Sequence, residues 1–311
     1  MKPLNNTLEA LTDQIGKLMR EGRVREAKPL VIEAAELTRQ AEGDETVAYA
    51  ALLNDLGGIH RAIGEWENGE KAFLLAATVI EKAIGRQTPD YATTLNNLAG
   101  LYRLMHRWDE SESAFLEALT IYRDTLGDRH FLFVSGLNNL GLLYQDMKKY
   151  EEAAGLHRMS LEILEQTRGG RVAQATTLSN LAEACKGLGR HDEVEGLIEE
   201  ALNIFEEVVG KGHSLYGSSL NNLAAFCYDQ QKYGKARDLF TKSLEICEQA
   251  YGRTSKYYAS SITNLGAASE QLGLLDEARH CYETALAIDV KLFGEDSRPA
   301  TDLTQRIAAL G

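Results

Sequence analysis

Gly210-Lys211-Gly212-His213-Ser214 comes nearest in this chain to a phosphate-cradling loop: glycines bare the backbone N–H groups and a lysine adds positive charge. The full GxxxxGK[ST] spacing is absent and no strand pattern precedes the segment, so a turn between two helices is expected instead. His191-Asp192-Glu193 sets acid–base groups side by side, but no HExxH spacing, paired-carboxylate motif or Ser/His/Asp order accompanies it. His191 also stands where equivalent segments carry Trp108 or Tyr150, which makes it a packing residue between helices. The 4 cysteines show no CxxC pairing or metal-ligand spacing. Cys185 and Cys227 fall where other segments have Tyr102 and Tyr144, so buried free thiols are expected, as suits a reducing compartment. No catalytic residue, metal or cofactor is expected, and the chain is read as a non-enzyme.

The asparagines offer a different chemistry, hydrogen bonding without reaction. Asn97, Asn139, Asn180, Asn222 and Asn264 recur at one position inside a helical pattern, where Asn costs several tenths of a kcal/mol against Ala. Four residues earlier, on the same helix face, stand Thr93, Ser135, Thr176, Ser218 and Ser260. Five aligned choices against propensity require compensation. Two readings stay open: a ladder in which each Asn stitches neighbouring helices, and a polar strip that hydrogen-bonds the backbone of an extended peptide.

What positions these residues is a repeat. Leu56, Leu98, Leu140, Leu181, Leu223 and Leu265 lie 42, 42, 41, 42 and 42 residues apart, the mark of an array of identical supersecondary units. Around them, residues such as Leu95, Leu98, Ala99 and Tyr102 fall on one face of a 3.6-period helix. A turn follows at Leu104 to Arg107, and a second helix opens 10 residues after each leucine, at Trp66, Trp108, Tyr150, His191, Tyr233 and Leu275. In it, Ala114, Phe115, Ala118, Leu119 and Tyr122 form another apolar stripe. A terminating glycine comes 19 residues after each opening, at Gly85, Gly127, Gly169, Gly210, Gly252 and Gly294. The one missing residue therefore lies between Gly169 and Leu181, in a loop that tolerates it. The same offsets run back to Val24 and Gly43, where Pro29 predicts a kinked or late-starting helix.

These spacings predict an all-α solenoid of seven helical hairpins. Residues 1–45 form a degenerate first repeat, 46–296 six regular repeats, and 297–311 a lone helix that caps the last hairpin or marks where a longer chain continues. The net charge of −13 argues against non-specific nucleic-acid binding, which needs a basic face. No apolar run reaches the roughly 18–20 residues that span a bilayer, so no membrane partner is expected. Met1 to Thr12 lacks the order of a signal peptide, and a cytoplasmic location is expected.

The run Leu95-x-x-Leu98-Ala99-x-x-Tyr102, followed by Ala114 and Ala118 at a 42-residue period, resembles the tetratricopeptide repeat in its longer, kinesin light chain-type form. The likeness covers the whole chain and departs from the family pattern at Gln14, Val24, Cys185 and His191. It implies a right-handed superhelix whose first helices line a concave groove, with peptide main chain held by Asn97, Asn139, Asn180, Asn222 and Asn264. On the same implied surface lie Asn96, Asn138, Asn221, Arg61, Arg103 and Lys186, together with Asp55, Asp146, Glu183, Asp229 and Glu270. Arg61 and Arg103 are the one cationic stretch, suited to a single acidic side chain. Relatives that clamp the acidic tail of heat-shock chaperones need Lys or Arg where this chain has Thr12, Asn54, Asn96 and Asn138, so that ligand is not expected. The function implied is a protein-interaction scaffold binding an extended peptide or partner protein. The alternative is a regulatory or sensory subunit that changes shape on binding a signalling peptide.

Overall fold

The computed structural model describes residues 2–167 and 170–311, with side chains from Thr7 onward. Among these residues there are fifteen α-helices and no strand. They run in chain order as α1 (Lys2–Arg20), α2 (Val24–Glu42), α3 (Val47–Ile63), α4 (Trp66–Ile84), α5 (Pro89–Leu104), α6 (Trp108–Leu126), α7 (Phe131–Asp146) and α8 (Tyr150–Gln166). Then follow α9 (Arg171–Gly187), α10 (His191–Val208), α11 (Ser214–Asp229), α12 (Tyr233–Tyr251), α13 (Lys256–Gln271), α14 (Leu275–Phe293) and α15 (Arg298–Ala309). The second helices begin at the six residues the spacing predicts. The first repeat differs, because α2 starts at Val24 and carries Pro29 in its interior rather than starting late. No described helix is long and apolar enough to cross a membrane.

The chain divides into two compact units, Met1–Ile163 and Leu164–Gly311. In the first, Leu11, Ile15, Val31, Ala34 and Ile59 close one core, and Leu53, Ile80, Leu95, Phe115, Tyr122 and Leu140 lie in a second. In the second unit the same register buries Leu181, Ile198 and Phe205, then Leu223 and Phe240, then Leu265 and Tyr282. Each helix buries one stripe, and that stripe is satisfied only by the neighbouring helices. Cys185, Cys227, Cys247 and Cys281 are buried free thiols, as expected of core positions. His191, expected to pack between helices, is instead exposed, with its ring 5.9 Å from that of Phe226 on the next hairpin.

The turns follow their local chemistry. Gly85 and Gly127 end α4 and α6 with φ of 89° and 88° and ψ of 170° and 161°, a region essentially closed to residues with a Cβ. Gly169, expected to end α8, lies outside the described residues. The hairpin turn needs one left-handed residue eight after each anchoring leucine. Gly64, Gly189 and Gly273 supply it in three hairpins, whereas His106, Lys148 and Gln231 adopt it at φ of 58°, 60° and 60°. His213, inside the glycine-lysine segment, caps α11 by accepting the Leu215 N–H at 3.2 Å, just as His130 accepts that of Leu132.

His157 is the polar exception in the core. It is fully buried at the α8 position that holds Phe73 in α4 and Phe115 in α6. Its Nδ1 lies 2.9 Å from Asn138 Oδ1, while Nε2 and the nearby Ser160 hydroxyl have no partner among the described residues. Burial holds its pKa down at about 4, against an ordinary 6.5.

Two expectations follow. Gln231→Gly relieves a left-handed non-glycine residue and should stabilise the fold by about 1 kcal/mol in urea unfolding; an unchanged midpoint would contradict the strain. Below pH 6.5 the unfolded chain binds a proton that folded His157 refuses, so stability should fall between pH 6.5 and about 4 by up to ~1.4 kcal/mol per pH unit. His157→Phe recreates the Gly57–Phe73 pairing at Gly141 and should flatten that slope. Equal acid sensitivity in both proteins, measured by urea unfolding at pH 7 and pH 5, would remove His157 as its source.

Candidate functional site

The asparagine positions face the first helix of the preceding hairpin, and three of them are bonded across that gap. In the first unit Asn97 Nδ2 donates to Asn54 Oδ1 at 3.2 Å, and Asn139 Nδ2 to Asn96 Oδ1 at 3.1 Å. In the second unit Asn264 Nδ2 donates to Asn221 Oδ1 at 3.1 Å. Each rung joins residues 43 apart in sequence, so one geometry recurs wherever both amides are present. All six side chains are only half-buried, which leaves the second amide hydrogen of each donor open to another acceptor. Asn138 is instead tied to His157, and Asn180 is half-buried and also engaged.

Asn222 breaks the pattern. The residue that should receive its amide is Ser179, whose hydroxyl is too short and turns to Ala175 O at 3.0 Å and Ser219 Oγ at 3.3 Å. Asn222 is exposed and makes no hydrogen bond among the described residues.

Charged groups form a parallel row at the same 43-residue step. Arg103 Nη1 meets Asp146 Oδ2 at 2.9 Å, and Lys186 Nζ meets Asp229 Oδ2 at 2.8 Å. The cationic stretch expected at Arg61 and Arg103 is therefore reduced to Arg61. Its guanidinium reaches forward to the Asn97 carbonyl of the next hairpin at 3.5 Å, over Gly100, where an added Cβ would lie 2.9 Å from Nη1. Burial, and next the Arg103 charge, push the Arg61 pKa down.

Beside Asn222 the surface opens into a cavity of about 250 Å³. Ser214, Ser218 and Asn222 of α11, Cys247 and Tyr251 of α12, and Tyr257 and Ser260 of α13 line it. Its origin is a change of size at one register position. In α6 that position is Tyr122, whose hydroxyl donates to Thr93 Oγ1 at 2.9 Å and fills the equivalent space. In α12 it is Cys247, which is too small to reach Ser218 and whose thiol pKa burial pushes up. The exposed rings of Tyr251 and Tyr257, 4.5 Å apart, stand at the rim. The wall thus offers hydroxyls, one free carboxamide and two aromatic faces, groups that can donate to and accept from polar main chain. No His/Cys/Asp/Glu cluster that could hold a metal occurs among the described residues. The sequence pattern singles out Asn222 and Ser218 but not Cys247, whose signal is the loss of bulk at a position held by Ile80, Tyr122 and Phe205.

Comparison with known proteins bears on the fold. The family model described as tetratricopeptide repeat matches residues 48–124, 133–207 and 215–301, more than half of the chain. BtubC from P. vanneervenii is similar at 22% identity and a TM-score of 0.61, covering 76% of this chain and 95% of that one. A putative kinesin light chain from Podosopora anserina, with nearly identical TPR-like repeats, aligns at 20% identity over 66% of this chain and 98% of its own, TM-score 0.54. A Rap protein solved in complex with Competence and Sporulation Factor aligns at 15% identity over 99% of this chain and 97% of its own, TM-score 0.59. No curated protein sequence matches the chain.

The rungs are testable without any ligand. In a double-mutant cycle, Asn96→Ala and Asn139→Ala should show a coupling of about 0.5–1.5 kcal/mol in urea unfolding. Each single change should cost less than that, because Ala returns helix propensity. Strict additivity would show that the rung adds nothing to stability.

Proposed function

The chain belongs to the tetratricopeptide repeat family, and from that membership we propose that it is a protein-interaction scaffold holding an extended peptide segment along the first helices of its hairpins. The observation that carries this reading is Asn222. Elsewhere the rung asparagines with bonded partners serve the fold, whereas Asn222 presents an uncommitted carboxamide beside a polar cavity rimmed by Tyr251 and Tyr257. A carboxamide can donate to one main-chain carbonyl and accept one main-chain N–H, the pairing an extended peptide offers at each residue. Ser218, one turn before it, and Ser260 across the cavity extend the same polar wall. Binding of this kind needs no cofactor and no chemical step. Within the same unit Asn264 contributes through its remaining amide hydrogen, with Asn180 and Asn221 as secondary contacts. In the first unit Asn97 and Asn139 offer the same remaining hydrogens, with Asn96, Asn138, Arg61 and Arg103 beside them.

The test is selection of a phage-displayed random peptide library on the full chain, with selected peptides then measured by calorimetry. Asn222→Ala should weaken them about three- to tenfold, the worth of one or two hydrogen bonds, with an unaltered melting temperature. Asn139→Ala, whose amide is committed to Asn96, should weaken them less. A library that yields no binder, or binders indifferent to Asn222→Ala, would overturn the reading.

A further inference from the structure

The register position that opens the Cys247 cavity carries a second, sharper anomaly one hairpin later. Fourteen residues after the start of each second helix stand Ile80, Tyr122, Leu164, Phe205 and Cys247, all buried, and then Asp289. Asp289 is only 8% exposed, yet its carboxylate makes no hydrogen bond or ion pair among the described residues. Packing alone favours an apolar group at this position, and the acidic one that stands there keeps its oxygens accessible from the adjoining cavity. Burial accordingly pushes the Asp289 pKa up.

Asp289 lines a cavity of about 440 Å³ between α13, α14 and α15, within the roughly 300–1,000 Å³ usual for ligand pockets. Ser260, Thr263 and Asn264 supply polar atoms on one side, and Phe293 and Leu303 supply apolar walls. A second carboxylate, Asp302, and three cations also line it, the cations lying toward other groups. Arg306 donates to the Tyr282 hydroxyl at 3.2 Å and lies over that ring. Arg298, almost fully exposed, faces Asp302 at 3.8 Å, and Lys256 sits 5.2 Å from the centre of the Tyr257 ring. None reaches Asp289.

We propose that this cavity receives the ammonium or guanidinium group of a lysine or arginine side chain, with Asp289 as its counter-ion. The aliphatic stem lies along Phe293 and Leu303, as long basic side chains do when they bury their methylenes and keep the charged head on a polar partner. Ser260 lines both this cavity and the one beside Asn222, so a single extended chain runs through both. The inference rests on the peptide-binding reading above and adds to it a residue preference.

The experiment uses positional-scanning decapeptide libraries, each with one position fixed and the rest random, on the full chain and on Asp289→Asn and Asp289→Ile. The second variant restores the residue type of Ile80 and should fold at least as well as the parent. Sublibraries fixed as Lys or Arg at one position should bind at least tenfold better than those fixed as Ala or Glu. Both variants should lose that preference while still binding the mixed libraries. Peptide binding without a Lys or Arg preference, or a preference that survives both variants, would overturn the proposal and leave the scaffold reading standing. If no library binds at all, both fall.

Discussion

Everything in this protein depends on how closely the two helices of a hairpin approach at the residue after each anchoring leucine. At Gly57, Gly141 and Gly266 an added Cβ would lie 2.6, 2.5 and 2.8 Å from Phe73, His157 and Tyr282. A Cβ at those three sites forces the facing ring to shift, and at the equivalent sites of the other hairpins the largest group accommodated is the methyl of Ala99, Ala182 or Ala224. That contact sets helix spacing within the hairpin, and the spacing dictates which faces remain to be covered by the next one. A hairpin held this way has one apolar side it cannot bury alone, so its stability resides in its neighbours.

Fixed spacing makes polar contacts between hairpins periodic as well. Once the first helices lie at a constant step, a residue pair 43 apart meets at the same distance in successive hairpins. Asn97–Asn54, Asn139–Asn96, Arg103–Asp146 and Lys186–Asp229 are all of this kind. The helix propensity that asparagine forfeits is offset by a bond that alanine cannot make. His157 shows the other face of the same constraint: a core position accepts an imidazole only in its neutral form, with Asn138 as its partner.

Function is best sought where the periodic types change while the backbone does not. Ser179 for Asn releases Asn222, Cys247 for a bulky side chain opens a cavity, and Asp289 adds an unpaired carboxylate to the next. All these changes fall in the second compact unit, in hairpins whose helix boundaries are otherwise regular. A repeat can afford such exceptions because each disturbs only adjacent contacts.

The amino-acid sequence by itself determined the helices, their boundaries and their pairing. Leucines 42 residues apart and glycines 19 after each second-helix start are local signals, and local backbone preference with a 3.6-residue apolar period is enough to read them. It also picked out the asparagine row, since five residues chosen against propensity stand out in one dimension. What it left open was which asparagines are spent on the fold. That depends on the residue 43 positions away, so Asn139 meeting Asn96 and Asn222 missing a partner at Ser179 look alike in sequence. Cys247 and Asp289 show in the sequence only as changes of type at one register position, and what those changes do is not legible there. A small thiol and a carboxylate on a helix are unremarkable until packing shows that one leaves space a tyrosine fills elsewhere, and the other lines a cavity with no partner. Only tertiary structure decides that, because cavities and unpaired charges are properties of what surrounds a residue.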